Sequence, residues 1–435
     1  MLAVSSSRRW PRGPTNQLHK AAYQGSADRV DALLSTGSVD INQGNPKGWT
    51  PLMLATEKGH SRVAQNLLEK GANVSVVGDG GFTALLASAQ SGQQAIAKML
   101  VKACANLESA DIDGSTPLHV AAQGGHSGVM RVLLEAGANP NSRRSDGATP
   151  LFSAALGGYV DAVRELLQKQ ANALLASVPA PSGATFVPLD VAVQHGHSEV
   201  VRELIQQLGI RGCGGVSGGV ESLRLAATEQ YIDIMGILTV GGVVDTGRAL
   251  VVSAEYSREE SVKFLLQCQA GGGTRYVNNT LDPFGRTPLV CTIEACGSSS
   301  PRIARFLIDA GADTKSAVRV TKPGERTTSR DTPLGFATRS LRQNTVGGKS
   351  ATEEQLRSLK AIHRLLSQAE AVHAVSWLWR SDDARIGNAV GVSSRMKPTP
   401  AGPSLRNRVE NRGVALRALC RATEEVVRGV NWHAG

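Results

Sequence analysis

Three sets of residues in this sequence have the types and spacing that could do chemistry. Gly215-Val216-Ser217-Gly218-Gly219 fits G-x-S-x-G, the setting of a nucleophilic serine. Such a serine works only on a turn between a strand and a helix of an α/β sheet, whereas here it sits in a Gly-rich connecting stretch, so Ser217 reads as loop. Gly348-Lys349-Ser350 matches the end of a phosphate-cradling loop, but Gln343 stands where the first glycine of that loop is needed. His60, His119, His126, His195 and His197 invite a metal reading. His60, His126 and His197, however, each follow a glycine at the same place in a recurring pattern, which points to a structural role. Cys104, Cys213, Cys268, Cys291, Cys296 and Cys420 contain no C-x-x-C pair, and Cys291 and Cys296 read as small core residues. No catalytic residue, metal-ligand set or cofactor site emerges, and the chain reads as a non-enzyme without a cofactor.

The elements that carry these residues repeat. Thr50-Pro51-Leu52, Thr83-Ala84-Leu85, Thr116-Pro117-Leu118 and Thr149-Pro150-Leu151 recur every 33 residues. The fourth unit shows the physics. Thr116 caps a helix through its side-chain oxygen, and Pro117 suits the first helical position because its missing N–H costs nothing there. Leu118, Ala121 and Ala122 share one face, and the two alanines let a neighbouring helix approach closely. Gly125 ends this helix in a left-handed turn. A second helix buries Val129, Val132, Leu133 and Leu134 before Gly137 ends it. One such pair cannot bury its apolar face alone, so neighbours must stack.

The run T-P-L-H-x-A-A-x-x-G-H, followed by G-A-[ND], resembles the ankyrin repeat. Weaker copies begin at Leu18, Pro188, Leu223 and Ala249; Thr287-Pro288-Leu289 with Gly311-Ala312-Asp313 opens a clear ninth, and Thr332-Pro333-Leu334 a tenth that is interrupted before a helix near 353–368. The resemblance implies an all-α solenoid of stacked helix-turn-helix units with short hairpin loops, about nine to ten units, less regular in its C-terminal half. It also implies that the histidine after the turn glycine bonds backbone between neighbouring units. Cys104 and Gln170 replace the usual turn glycine of the third and fifth units, and each left-handed non-glycine residue costs roughly 1 kcal/mol. Insertions near 173–184, 209–219, 271–281 and 314–330 read as loops.

Ankyrin-like arrays bind proteins through hairpin tips and the inner helix face, so the resemblance implies a scaffold or adaptor with protein partners. The register selects the residues of that concave surface: Lys47, Trp49, Glu57, Lys58, Asp79, Phe82, Gln90, Ile112, Asp113, Gln123, Arg144, Asp146 and Leu156. Trp49 and Phe82 occupy the position just before the T-P-L threonine. Two readings stand for them: anchors of a partner, or side chains packed on neighbouring hairpins.

Charge separates the array from its flanks. The chain of 435 residues has a formal net charge of +10. Residues 315–435 hold 21 Lys and Arg against 10 Asp and Glu, whereas residues 16–314 hold 23 against 27. Nucleic acid is therefore not expected to bind the repeats, and the basic flank could have a second, acidic partner such as nucleic acid or a membrane surface. The expected organisation is a disordered basic leader (1–15), the array (16–314), a basic loop with a degenerate terminal repeat (315–380), a Pro-containing linker (381–403) and a basic amphipathic helix (404–435). No run approaches 18 consecutive apolar residues, so no membrane-spanning helix is expected. Sparse cysteines and the lack of an apolar signal core suggest the cytoplasm or nucleus; Arg8, Arg9 and Arg12 among serines also fit an organelle transit peptide.

Overall fold

A computed structural model describes residues 16–37, 39–175, 186–213, 219–243, 246–268, 277–278, 285–315, 318–321, 328–346 and 352–390. The T-P-L tripeptides start helices as their chemistry predicts. Thr50, Thr83, Thr149 and Thr287 are extended, and each side-chain oxygen accepts the N–H three residues on, at 3.2–3.4 Å. Pro51, Pro117, Pro150 and Pro288 fill the first helical position. Thr116 differs: its hydroxyl donates to His119 Nδ1 at 2.9 Å, and that nitrogen also accepts the Thr116 N–H at 3.3 Å.

Among the described residues the helices form ten pairs. The first members are Gln17–Gln24, Pro51–Lys58, Ala84–Gln90, Pro117–Gln123, Pro150–Gly157, Pro188–Gln194, Val220–Glu229, Gly247–Glu255, Pro288–Ala295 and Pro333–Val346. The second members are Ala27–Ser35, Ser61–Glu69, Gln94–Lys102, Ser127–Glu135, Val160–Gln168, Ser198–Cys213, Ile232–Val240, Glu259–Cys268, Ser300–Asp309 and Glu353–Val390. First helices pack on first helices along the series, and through the ninth pair second helices pack on second helices. One apolar core runs from Leu18 to Leu366. Ala21, Ala22, Ala121, Ala122, Ala154 and Ala155 are fully buried between first helices, where larger side chains would hold the helices apart. The chain is thus an all-α repeat solenoid through Glu370; a second unit begins at Ala371, and of it residues 371–390 are described.

The turn between the helices of a pair shows why glycine recurs there. Gly92 has φ +67°, and a β-carbon on it would lie 2.7 Å from the imidazole Nδ1 of His126 in the next unit. That ring occupies the space in order to donate from Nε2 to the Gln90 carbonyl at 3.1 Å. His60 reaches Tyr23 O at 3.0 Å and His197 reaches Leu156 O at 3.0 Å in the same way. These histidines are inter-repeat ties, as the resemblance implied. Gly92→Ala both strains the backbone and displaces the ring, so a loss of about 1–3 kcal/mol in urea unfolding is expected.

Cys104 and Gln170 are left-handed, with φ of 57° and 59°. Cys104→Gly and Gln170→Gly should each raise the unfolding free energy by about 0.5–1 kcal/mol, the relieved strain exceeding the added freedom of the unfolded chain. An unchanged or lower urea midpoint would contradict this. Gln230, Ser257 and Cys296 are also left-handed, at the end of the first helix in the seventh to ninth units. Those substitutions were not read from the sequence, because the units lack a regular T-P-L-H frame or carry Cys in place of the glycine.

Three expectations are corrected. The segment read as a loop over 314–330 contains two antiparallel strands, Val318–Thr321 and Thr328–Asp331, with Val318 opposite Asp331 and Thr321 opposite Thr328. The insertion near 209–219 begins inside a helix, since Ser198–Cys213 continues across a kink at Gly209. The linker assigned to 381–403 is helical as far as Val390, where Glu353–Val390 ends. That helix starts with a reciprocal cap: Thr352 N–H donates to Gln355 Oε1 at 3.0 Å and Gln355 N–H to Thr352 Oγ1 at 3.3 Å. The leader 1–15, Ser217, Gly348 to Ser350 and the segment 404–435 lie outside the described residues.

Candidate protein-binding face

Each hairpin reverses the chain in five residues: Asn45–Trp49, Gly78–Phe82, Asp111–Ser115 and Arg144–Ala148. The N–H of the first residue donates to the carbonyl of the last at 2.9, 2.8, 3.1 and 3.0 Å. Asn45 Oδ1 accepts from Lys47 and Trp49 N–H at 3.0 and 2.9 Å, and Asp111 Oδ1 accepts from Asp113 and Ser115 N–H at 2.9 Å each. These side chains are spent inside the turn. Gly78 takes the same position in the third unit because a β-carbon there would meet the Trp49 indole at 3.3 Å. In the fifth unit Asp146 closes the turn by accepting the Ala148 N–H at 3.1 Å, and it is ion-paired with Arg144. The Arg144 guanidinium holds the Asp146 carboxyl below the usual carboxylate range.

Main-chain hydrogen bonds join successive tips. Asp79 N–H donates to Lys47 O at 2.9 Å, Ile112 N–H to Gly80 O at 3.0 Å, and Ser145 N–H to Asp113 O at 3.0 Å. From beneath, His119 Nε2 donates to Ala148 O at 3.1 Å, and His19 Nε2 lies 3.0 Å from Trp49 O. A first-helix histidine thus grips the next hairpin. Burial lowers the His119 pKa to about 4, so the ring is neutral, as its acceptor role at Nδ1 requires.

The structure sorts the residues selected from the sequence. Lys47, Asp79, Ile112 and Asp113 are exposed on the tips, and Lys58 and Gln123 are exposed at the ends of first helices. Glu57, Gln90, Leu156, Arg144 and Asp146 are half-buried. Lys58 pairs with Glu57 at 3.1 Å and sits 4.7 Å from the centre of the Tyr23 ring.

Trp49 and Phe82 are placed differently from the anchor expectation. They are 4% and 5% exposed, and their rings stack at 5.4 Å with an interplanar angle of 15°. Of the two readings, packing on the neighbouring hairpin describes them, because facing aromatics bury each other's apolar area. The exposed Tyr23 was missed. So was Arg286, which holds the Trp49 position of the ninth unit and bridges Glu255, at 3.1 Å, to Glu294. Its signal was in the sequence: it directly precedes Thr287-Pro288-Leu289.

Among the described residues no group of three or more His, Cys, Asp or Glu side chains could hold a metal ion, and no helix is long and apolar enough to cross a membrane.

A family model for ankyrin repeats matches four overlapping segments, residues 18–111, 76–144, 101–178 and 137–213. The chain is similar to the NAD-capped RNA hydrolase NUDT12 of Pongo abelii, 36% identical over 75 residues that cover 17% of this chain and 16% of that protein. It is similar to the human Ankyrin repeat and SAM domain-containing protein 3, 41% identical over 59 residues covering 14% and 9%. A match to the human Oxysterol-binding protein-related protein 1 is 44% identical, covering 14% of this chain and 8% of that one. The chain therefore spans no more than about a sixth of these relatives.

Proposed function

This chain is an ankyrin-repeat-containing protein, and from that premise we propose that it is a non-catalytic adaptor that binds partner proteins on the face made by its hairpin tips and first-helix ends. The observation that carries this reading is the main-chain ladder from Lys47 to Ser145. Backbone bonds hold the tips in register, and the side chains of Lys47, Asp79, Ile112 and Asp113 are exposed on them, where a partner can reach them. Lys58, Gln123, Glu57, Gln90 and Leu156 extend the same face.

The test compares the full chain with a variant carrying Lys47→Glu, Asp113→Lys and Gln123→Ala, each used as bait for quantitative affinity purification. The expected result is loss of specific partners at an unchanged far-UV spectrum. Identical partner sets would refute the reading. The non-catalytic part is supported by Gln343, which stands where a phosphate-cradling loop needs its first glycine. Because one relative is a hydrolase of NAD-capped RNA, that substrate is the direct challenge: no turnover by the full chain is expected, and hydrolysis would overturn the assignment.

A second reading rests on the charge excess of residues 315–435, with 21 basic against 10 acidic side chains. It gives the C-terminal region an acidic partner of its own. Retention of the full chain on heparin should then fall steeply with salt, and salt-insensitive retention would remove this reading.

A further inference from the structure

The residue just before each second helix packs back on the turn of the preceding unit. At the first six junctions it is His60, Gln93, His126, Tyr159, His197 and Tyr231, and the turn residue it meets is a left-handed glycine. A β-carbon on any of those glycines, from Gly25 to Gly196, would come within 3.1 Å of that side chain. The seventh junction departs from this. Its turn residue is Gln230, left-handed with φ 61°, and the residue in register above it is Arg258. A real β-carbon stands where the glycines leave room, so Arg258 cannot take the seat that the others take.

Arg258 is left without a partner. The histidines donate to the carbonyl two residues before the turn glycine, that of Tyr23, Gln90 or Leu156. The equivalent carbonyl is that of Thr228, and Arg258 makes no bond to it. Its side chain is half-buried, and its Nε is buried with no hydrogen-bond partner. Among the described residues its guanidinium forms no ion pair, and the nearby carboxylates are engaged elsewhere. Glu255 meets Arg286 at 3.1 Å, Glu259 meets Arg302 at 3.6 Å, and Glu260 meets Lys263 at 4.0 Å. A donor that has left water without finding an acceptor is costly, so a ligand that supplies one gains by it. No bond holds the side chain, and it can swing outward at no cost in hydrogen bonds. The same turn exposes an aromatic: Tyr256, which ends the first helix Gly247–Glu255, is 57% exposed. Tyrosine and arginine are the types that dominate binding energy at interfaces.

We infer that Tyr256 and Arg258 form a docking site for an acidic segment of a partner protein. One Asp or Glu carboxylate of that segment accepts side-on from Nε and an Nη of Arg258, and an adjacent apolar side chain packs on the Tyr256 ring. Exposed Glu229 and Glu260, each within two residues of Gln230 or Arg258, repel a phosphate dianion more strongly than a carboxylate, which selects the latter. This rests on the reading that the array binds protein. It adds a site in the seventh and eighth units, apart from the hairpin tips of the second to fifth, and names the chemistry of its ligand.

The test pans a displayed library of random twelve-residue peptides on the full chain, after depletion on the full chain carrying Arg258→Met, which keeps an apolar stem. A synthetic, fluorescein-labelled winner is then titrated by anisotropy. The expected pool carries Asp or Glu beside an aromatic or aliphatic residue. Replacing that acid by its amide should weaken binding about tenfold or more, and Arg258→Lys and Tyr256→Ala about threefold or more. Lys47→Glu, on a distant tip, should leave binding unchanged. Arg258→Met should leave the urea midpoint unchanged or higher, because it removes a donor without a partner. A clear fall in that midpoint would make Arg258 a structural tie and overturn the site. An empty selection, a pool without acidic residues, indifference to Tyr256→Ala, or loss of binding with Lys47→Glu also overturns it. Tighter binding of a winner with phosphoserine in place of its acid would assign the site to a phosphorylated partner and refute the carboxylate. The broader reading is decided separately, by the bait carrying Lys47→Glu, Asp113→Lys and Gln123→Ala.

Discussion

Trp49→Ala should cost about 3–5 kcal/mol of unfolding free energy, the range for truncating a buried aromatic to alanine. The side chain is 4% exposed, stacks on Phe82 and fills the space that Gly78 leaves open. Its removal empties the junction between the second and third units. In a stacked array the interface between neighbours carries much of the stability, so unfolding should also lose cooperativity, with the first two units melting ahead of the rest. Urea unfolding followed by circular dichroism measures both effects. Phe82→Ala should behave alike, and a double-mutant cycle should give a coupling of about 0.5–1.5 kcal/mol for the stacked pair. A loss below about 1 kcal/mol, with partner binding abolished, would restore the anchor reading of these two residues.

Acid should destabilise the array between pH 6.5 and 4. Buried His119 has a folded pKa of about 4 against an ordinary value of 6.5. Desolvation is the main cause; the Arg144 charge adds to it, while the bond to the Ala148 carbonyl and the Asp146 charge oppose it. The unfolded chain therefore binds more protons across this window, and stability must fall as pH falls. The contribution is complete above about pH 6.5 and is lost by about pH 4, a change on the order of 3 kcal/mol. Burial lowers the His19 pKa too, so it acts in the same direction. Asp190 has the opposite sign. Burial raises its pKa while it accepts a 2.6 Å bond from Ser222, so its protonation in the folded state offsets part of the loss at the acid end. Urea midpoints at pH 7.0 and 4.5 give the measurement. The difference should be clearly smaller in His119→Gln, and an equal difference in wild type and variant would remove His119 as its source.

Much of the fold was legible in the sequence because the ankyrin-like unit writes its physics locally. A capping threonine, a proline at the first helical position, paired alanines and a turn glycine each act within a few residues. Their recurrence every 33 residues announces the stack. Cys104 and Gln170 were identifiable as left-handed for the same reason: register assigned them a backbone state that their residue types do not prefer. Where the frame decays the reading decays with it. The strand pair Val318–Thr321 and Thr328–Asp331, and the continuation of the helix read near 353–368 as far as Val390, follow no repeat and went unread.

The binding face divides along the same line. By itself the sequence determined the stack and the approximate number of its units; its resemblance to ankyrin repeats implied the tie made by His60, His126 and His197 and which positions belong to the tips and first-helix ends. Only the tertiary structure decided which of those positions face water. Trp49, Phe82 and Ile112 are all large and apolar, and all lie in hairpins. Trp49 and Phe82 turn into each other because Gly78 leaves room between adjacent units, whereas Ile112 has no such neighbour and stays exposed. That distinction depends on contacts between residues some thirty positions apart, and spacing within one unit does not contain them.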